Sequence, residues 1–223
     1  MQEQNKLTRR RMLKMSLALG GYALSSPFSH LLAQQRLRRT PDQILGPFYP
    51  MMKPLDRDAD LTILDGRTGR AKGQVIHLMG RVLNIHGHPV EGARVEIWQA
   101  NAQGRYTHPD DSNPAPLDPN FQGYGVQVTD KQGRYRFKTI KPGAYPTAVE
   151  GWTRPPHIHF DVTGRTNQFV TQMYFDGEPL NDKDRLLQSA ANTRMLVAKI
   201  MPPTKDFEPD SLIVNWDIIL LSG

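Results

Sequence analysis

The chain has 223 residues, including 18 prolines and 18 glycines but no cysteine. Without cysteine there can be no disulfide, no thiolate metal site and no cysteine nucleophile. The formal charge of +6 sits at the front: residues 1–39 hold eight basic residues against one acid, Glu3, while the rest holds 20 basic and 21 acidic residues. The domain therefore offers no basic excess for nucleic acid.

In chain order, Thr8-Arg9-Arg10-Arg11-Met12-Leu13-Lys14 is a twin-arginine pattern, followed by a weakly apolar run from Met15 to Leu24 and a small-residue stretch at Leu31-Leu32-Ala33. The apolar run is much shorter than the ~20 residues of a membrane span. Residues 1–35 are read as a leader exported by the twin-arginine machinery, giving a periplasmic or extracellular protein with no stable membrane span; the alternative is an amphipathic basic tail. Residues 36–74 are polar and turn-rich and are expected to wrap the domain as an N-terminal arm. Residues 75–223 form the main domain.

From Val75 the pattern is short apolar runs between turn signals, which predicts an all-β, antiparallel β-sandwich core with long Pro-rich loops. Val75–Leu83 reads as a strand, His86-Gly87-His88 as a turn and Ala93–Gln99 as the returning strand. Asp130-Lys131-Gln132-Gly133 turns between Gly125–Thr129 and Arg134–Thr139. His157–Val162 and Phe169–Phe175 read as a pair, Asp182–Ser189 as a short helix and Leu212–Leu220 as a closing strand. Residues 107–124 and 140–156 read as long connections, and long connections in a compact domain are often functional.

Those connections flank four side chains. Tyr106 follows Gly104-Arg105, Tyr145 lies in Pro142-Gly143-Ala144-Tyr145-Pro146, and His157 and His159 lie in Arg154-Pro155-Pro156-His157-Ile158-His159. A His-x-His on a strand puts both rings on one face. Two phenols and two imidazoles suit Fe(III), because phenolate is a hard, electron-rich donor and imidazole suits iron. Taken singly, each tyrosine is better explained as a half-buried aromatic with a satisfied hydroxyl, and the histidines have an alternative as polar positions of a surface strand.

The spacing of Leu78, Gly80, Val82, Gly87, Val90, Val95, Glu96, Ile97, Gly104 and Tyr106 resembles the signature of the intradiol ring-cleavage dioxygenases. Gly46-Pro47-Phe48-Tyr49-Pro50 and Thr171-Gln172-Met173-Tyr174-Phe175 are similar to further segments of that family, and the likeness runs from about Thr40 to Leu221. The resemblance implies a non-haem Fe(3+) held by Tyr106, Tyr145, His157 and His159, with Tyr145 and His157 axial and Tyr106 and His159 equatorial. It implies a catechol-type substrate and O2, cleavage between the two hydroxylated carbons, and a cis,cis-muconate-type product. Tyr145 would leave the iron and help accept a proton, Arg154 would stabilise charge on the ring, and Gln172 would lie near the iron and the oxygen site. Tyr49 and Pro50 would line the approach, and Trp152 would line the pocket or pack. A homo-oligomer is expected.

Thr147 stands two residues after the second tyrosine, where the protocatechuate-cleaving type has tryptophan. His77, His86, His88 and His108 take no role from the resemblance; His86 and His88 are read as solvated turn residues. Two other readings stay open. Gly80–Gln99 and Thr129–Tyr145 also resemble a transthyretin-like or carboxypeptidase-regulatory-like binding module without metal. The same His-x-His with tyrosine could instead hold copper or zinc.

Overall fold

The computed structural model describes residues 36–222. The leader read in residues 1–35 lies outside the described residues. The strands in order are β1 (Val75–Asn84), β2 (Arg94–Trp98), β3 (Tyr124–Val128), β4 (Arg134–Ile140), β5 (Tyr145–Pro146), β6 (Thr153–Arg154), β7 (His157–Thr163) and β8 (Gln168–Phe175). A 3-10 turn at Asn181–Lys183 leads into the short helix α1 (Arg185–Gln188), and another at Thr193–Met195 leads into β9 (Val197–Ala198). β10 (Ile200–Met201), β11 (Leu212–Asn215) and β12 (Ile218–Leu220) complete the chain. The described chain is nearly all β, as expected.

Two five-stranded sheets form. One runs β10-β11-β1-β12 with β4 also on β1; the other runs β3-β2-β7-β8-β9; β5 and β6 make a separate hairpin. One hydrophobic core draws Ile76, Leu78 and Phe137 from the first sheet and Val95, Ile97, Ile158, Phe160 and Met173 from the second. Tyr135 on β4 and Phe160 on β7 meet with ring centroids 6.1 Å apart. Burying each large side chain contributes roughly 1.5–3 kcal/mol, which makes this core the main source of stability.

Pairing differs from the sequence reading in four places. β2 does not return onto β1; it pairs with β3 and β7, while β1 pairs with β4, β11 and β12. The Asp130–Gly133 turn joins strands of different sheets rather than closing a hairpin. The single closing strand is two, β11 and β12, and both run parallel to β1, as β9 does to β8. Residues 140–156 are not bare loop, since they hold the β5–β6 hairpin. Strand alternation identifies which face a residue takes but not which strand lies beside it.

The expected β7–β8 pair does form, antiparallel, with His157 opposite Tyr174 and His159 opposite Gln172. Alternation sends Ile158, Phe160 and Val162 into the core and His157, His159 and Asp161 to the opposite face. That face is also buried, because residues 43–48 cross it. Gln172 Nε2, on the same face as His159, bonds the Ile44 carbonyl at 2.8 Å, and Tyr174 Oη, on the same face as His157, bonds Gln43 Oε1 at 3.4 Å. A polar strand face is thereby taken out of water.

Candidate metal centre

Two loops bring the tyrosines together. Asn101 Oδ1 accepts from Gln103 N–H at 2.9 Å and Arg105 N–H at 3.0 Å, and Asp111 Oδ2 accepts from Tyr106 N–H at 2.7 Å. This turn packs directly on the next one: a Cβ at Gly104, where φ is +79°, would stand 2.2 Å from the Ala144 carbonyl oxygen. Only glycine permits both that backbone angle and that approach. Tyr106 and Tyr145 therefore meet edge to face, centroids 5.5 Å apart.

The other members converge on the same place. Tyr145 lies 5.5 Å from His157 by ring centroid, Tyr106 lies 6.3 Å from His159, and the two histidines are 4.9 Å apart. The β5–β6 hairpin sets Tyr145 directly opposite Arg154. All four aromatic side chains and Arg154 are buried. The structure thus gathers Tyr106, Tyr145, His157, His159, Arg154 and Gln172 into one cluster.

Burial decides the protonation states. It pushes His157 and His159 well below the usual imidazole range, with the Arg154 charge acting in the same direction, so both rings are neutral near pH 7. Burial likewise raises the Tyr106 and Tyr145 phenols; proximity to Tyr145 adds to the rise at Tyr106, while Arg154 opposes it at Tyr145. His157 Nδ1–H donates to the Pro155 carbonyl at 2.7 Å, which fixes the tautomer and leaves the Nε2 lone pair facing the cluster.

This chemistry fits a metal ion. The Tyr106 hydroxyl and His159 Nδ1 are buried without a hydrogen-bond partner of acceptable geometry. Buried polar atoms without partners are costly unless something else satisfies them. Among the described residues no three His, Cys, Asp or Glu side chains cluster as a metal site, so a cation here depends on the tyrosines. Phenolate donors favour a hard trivalent ion such as Fe(III) over copper or zinc.

Arg154 is held on three sides. Nε donates to Asp184 Oδ2 at 2.9 Å, and Nη2 donates to Tyr174 Oη at 2.7 Å and Gln172 Oε1 at 2.8 Å. Nη1 lies 3.2 Å from His157 Nε2. Gln172 spends both ends of its amide on protein, Oε1 on Arg154 and Nε2 on Ile44, which places it as a support for Arg154 and for the arm. Tyr174 Oη also donates to Gln172 Oε1 at 3.0 Å.

The cover comes from the segment Gly46 to Pro50. Phe48 packs 4.6 Å from Tyr106 and 6.1 Å from Tyr145 by ring centroid, and Pro50 and Tyr106 share the wall of a cleft of about 230 Å³. Tyr49 stacks edge-on against Trp98 at 4.9 Å. Trp152 lies beside Arg154, with the guanidinium carbon 5.9 Å from its ring. Thr147 is occupied in its own turn, bonding the Trp152 carbonyl through N–H and Oγ1, both at 3.0 Å.

Of the remaining histidines, His86 and His88 are exposed at a turn whose N–H groups bond Asn84 Oδ1. His108 lies 5.8 Å from the Phe48 ring. His77 is a buried structural residue, 2.6 Å from Glu208. Sequence reasoning missed Asp184, Tyr174 and Trp98 as parts of this site. Tyr174 was findable, since it lies two residues after Gln172 and so shares its strand face; Asp184 offered only a helix-start signal.

A family model described as Dioxygenase matches residues 44–222. The protocatechuate 3,4-dioxygenase beta chain of Burkholderia cepacia is 46% identical over 174 residues, covering 75% of this chain and 72% of that protein. Catechol 1,2-dioxygenase 2 of Acinetobacter lwoffii is 33% identical over 153 residues, covering 63% of this chain and 52% of its own. Hydroxyquinol 1,2-dioxygenase of Rhizobium sp. is 33% identical over 149 residues, and 48% of its length is covered. The chain thus spans about half the length of the catechol and hydroxyquinol relatives. Among solved structures, catechol 1,2-dioxygenase from Pseudomonas arvilla C-1 superposes with a TM-score of 0.63 at 26% identity, over 81% of this chain and 62% of that one. The chain therefore belongs to the intradiol ring-cleavage dioxygenases, and as an oxidoreductase of that family it is an enzyme and not a bare binding module.

Proposed function

We propose that the protein cleaves a catechol-type ring between its two hydroxylated carbons with O2, giving a cis,cis-muconate-type dicarboxylate, at a ferric centre held by Tyr106, Tyr145, His157 and His159. The observation that carries this reading is the convergence of two buried phenols and two neutral buried imidazoles beside a buried arginine. Bound Fe(III) supplies Lewis acidity toward the two ring oxygens.

The chain's own residues do the rest. Tyr145, which lies opposite Arg154 and would hold the metal as phenolate, is placed to take up a proton from the arriving hydroxyl, since burial raises its phenol and so makes the phenolate a stronger base. Arg154 Nη1 faces the cluster and stabilises negative charge developing on the ring. Phe48 and Trp98 exclude water, which strengthens every charge interaction inside. Gln172 and Tyr174 keep Arg154 in place.

The leader in residues 1–35 supports export by the twin-arginine route to the periplasm or beyond, and cell fractionation of the full chain tests this. No described helix is long and apolar enough to cross a membrane. A homo-oligomer is part of the same reading and is tested by light scattering.

The decisive experiment is the visible spectrum of the iron-loaded protein before and after anaerobic addition of catechol. A tyrosinate-to-iron charge-transfer band that shifts with catechol is expected. A colourless protein with a full load of another metal would overturn the reading.

A further inference from the structure

Asp184 is the most completely buried acid near the site, at 0% exposure, and it lies 30 residues along the chain from Arg154. Its carboxylate makes three contacts. Oδ2 accepts from Arg154 Nε at 2.9 Å, and Oδ1 lies 3.4 Å from Arg154 Nη2. Oδ1 also accepts from Leu187 N–H at 2.8 Å, capping α1. A fully buried carboxylate is tolerated only when paired and hydrogen-bonded, and a fork-to-fork contact fixes orientation as well as charge.

Arg154 depends on that contact for its direction. Its Nε and Nη2 are taken by Asp184, Gln172 and Tyr174, so Nη1 is the one guanidinium nitrogen turned toward His157. Gln172 and Tyr174 are neutral and touch only Nη2; they leave rotation about that nitrogen unopposed. Asp184 alone grips two guanidinium nitrogens and supplies the opposite charge.

We propose that Asp184 is a positioning residue for the reaction: it aims Arg154 Nη1 into the site and neutralises the rest of the guanidinium from behind. This rests on the role given to Arg154 above. Through its cap on Leu187 it also ties the orientation of Arg154 to the 176–196 segment, away from the four aromatic side chains.

The test is Asp184→Asn, which keeps a side-chain oxygen for the Leu187 cap but loses the charge. Expected results are near wild-type iron content, a kcat lowered on the order of 10- to 100-fold with KM changed little, and no further loss when Asp184→Asn is added to Arg154→Gln. In the iron-free protein, the Arg154 Nε–H NMR signal is expected to exchange slowly in wild type and fast in Asp184→Asn. An unchanged kcat in Asp184→Asn, or the same loss of kcat in both backgrounds, would overturn the proposal. So would a protected Arg154 Nε–H in the variant. If Arg154→Gln itself turned over normally, the role of Arg154 would fall first, so the two failures are separable.

Discussion

Trp98 lies flat on His159, ring centroids 4.8 Å apart and planes within 15°, and the two residues are register partners on β2 and β7. The orientation of one candidate ligand is therefore set by cross-strand pairing. Trp98 is also almost fully buried, at 1% exposure.

Trp98→Ala should cost about 3–5 kcal/mol of stability and free the His159 ring to rotate. Trp98→Phe should keep most of the stack. Denaturant unfolding with parallel metal titration checks this, and equal iron affinity in both variants would refute the orienting role.

Gly46 has φ +79°, and a Cβ there would stand 3.0 Å from His159 Cε1. Gly46→Ala should cost roughly 1–2 kcal/mol through its backbone angle. It should also push the His159 ring, so iron affinity should fall while the remaining sheet structure persists. Circular dichroism combined with iron titration reads the two effects apart.

Tyr106→Phe removes a buried hydroxyl that makes no hydrogen bond of acceptable geometry, although the Tyr145 hydroxyl lies beside it. Loss of an ordinary unpartnered hydroxyl would stabilise the fold or leave it unchanged. A ligand role predicts instead a stable protein whose iron affinity falls by more than roughly 10- to 100-fold and whose visible band shifts. Full iron load with an unchanged spectrum would remove Tyr106 from the metal centre.

Arg154→Gln should retain iron and lose turnover by roughly 10²–10³, as for loss of one preorganised donor to developing charge. Glutamine is preferred to alanine because alanine would leave Asp184 with no donor in place of Arg154 and add a folding defect. Steady-state kinetics and metal analysis on one preparation decide it.

Glu208 predicts an acid response away from the site. Lys138 at 2.5 Å and His77 at 2.6 Å hold its carboxyl at about 2, below the ordinary 4.5. These contacts stabilise the fold above about pH 4.5 and are lost as pH falls toward 2. The effect should be modest, since the Glu208 side chain is one-third exposed. Thermal melts between pH 2 and 6 should show a shallower acid loss for Glu208→Gln; parallel curves would discount the contact.

The sequence by itself determined the β character of the domain, the β7–β8 pair and the six residues that meet at the centre. Alternation placed His157 and His159 on one face and the residue types pointed to a metal class, while the joining of Tyr106, Tyr145, Arg154 and Gln172 to them came from the family resemblance. It could not determine strand partners. β1 takes β11 and β12 in parallel from more than 120 residues away, and nothing in either segment encodes that choice. Nor could it determine that residues 43–48 bury the ligand face, that Gly104 brings the Tyr106 and Tyr145 loops into contact, or that Asp184 backs Arg154. Those are decided by tertiary packing, because the free energy of a buried charge or an unpartnered hydroxyl depends on what the rest of the chain places around it.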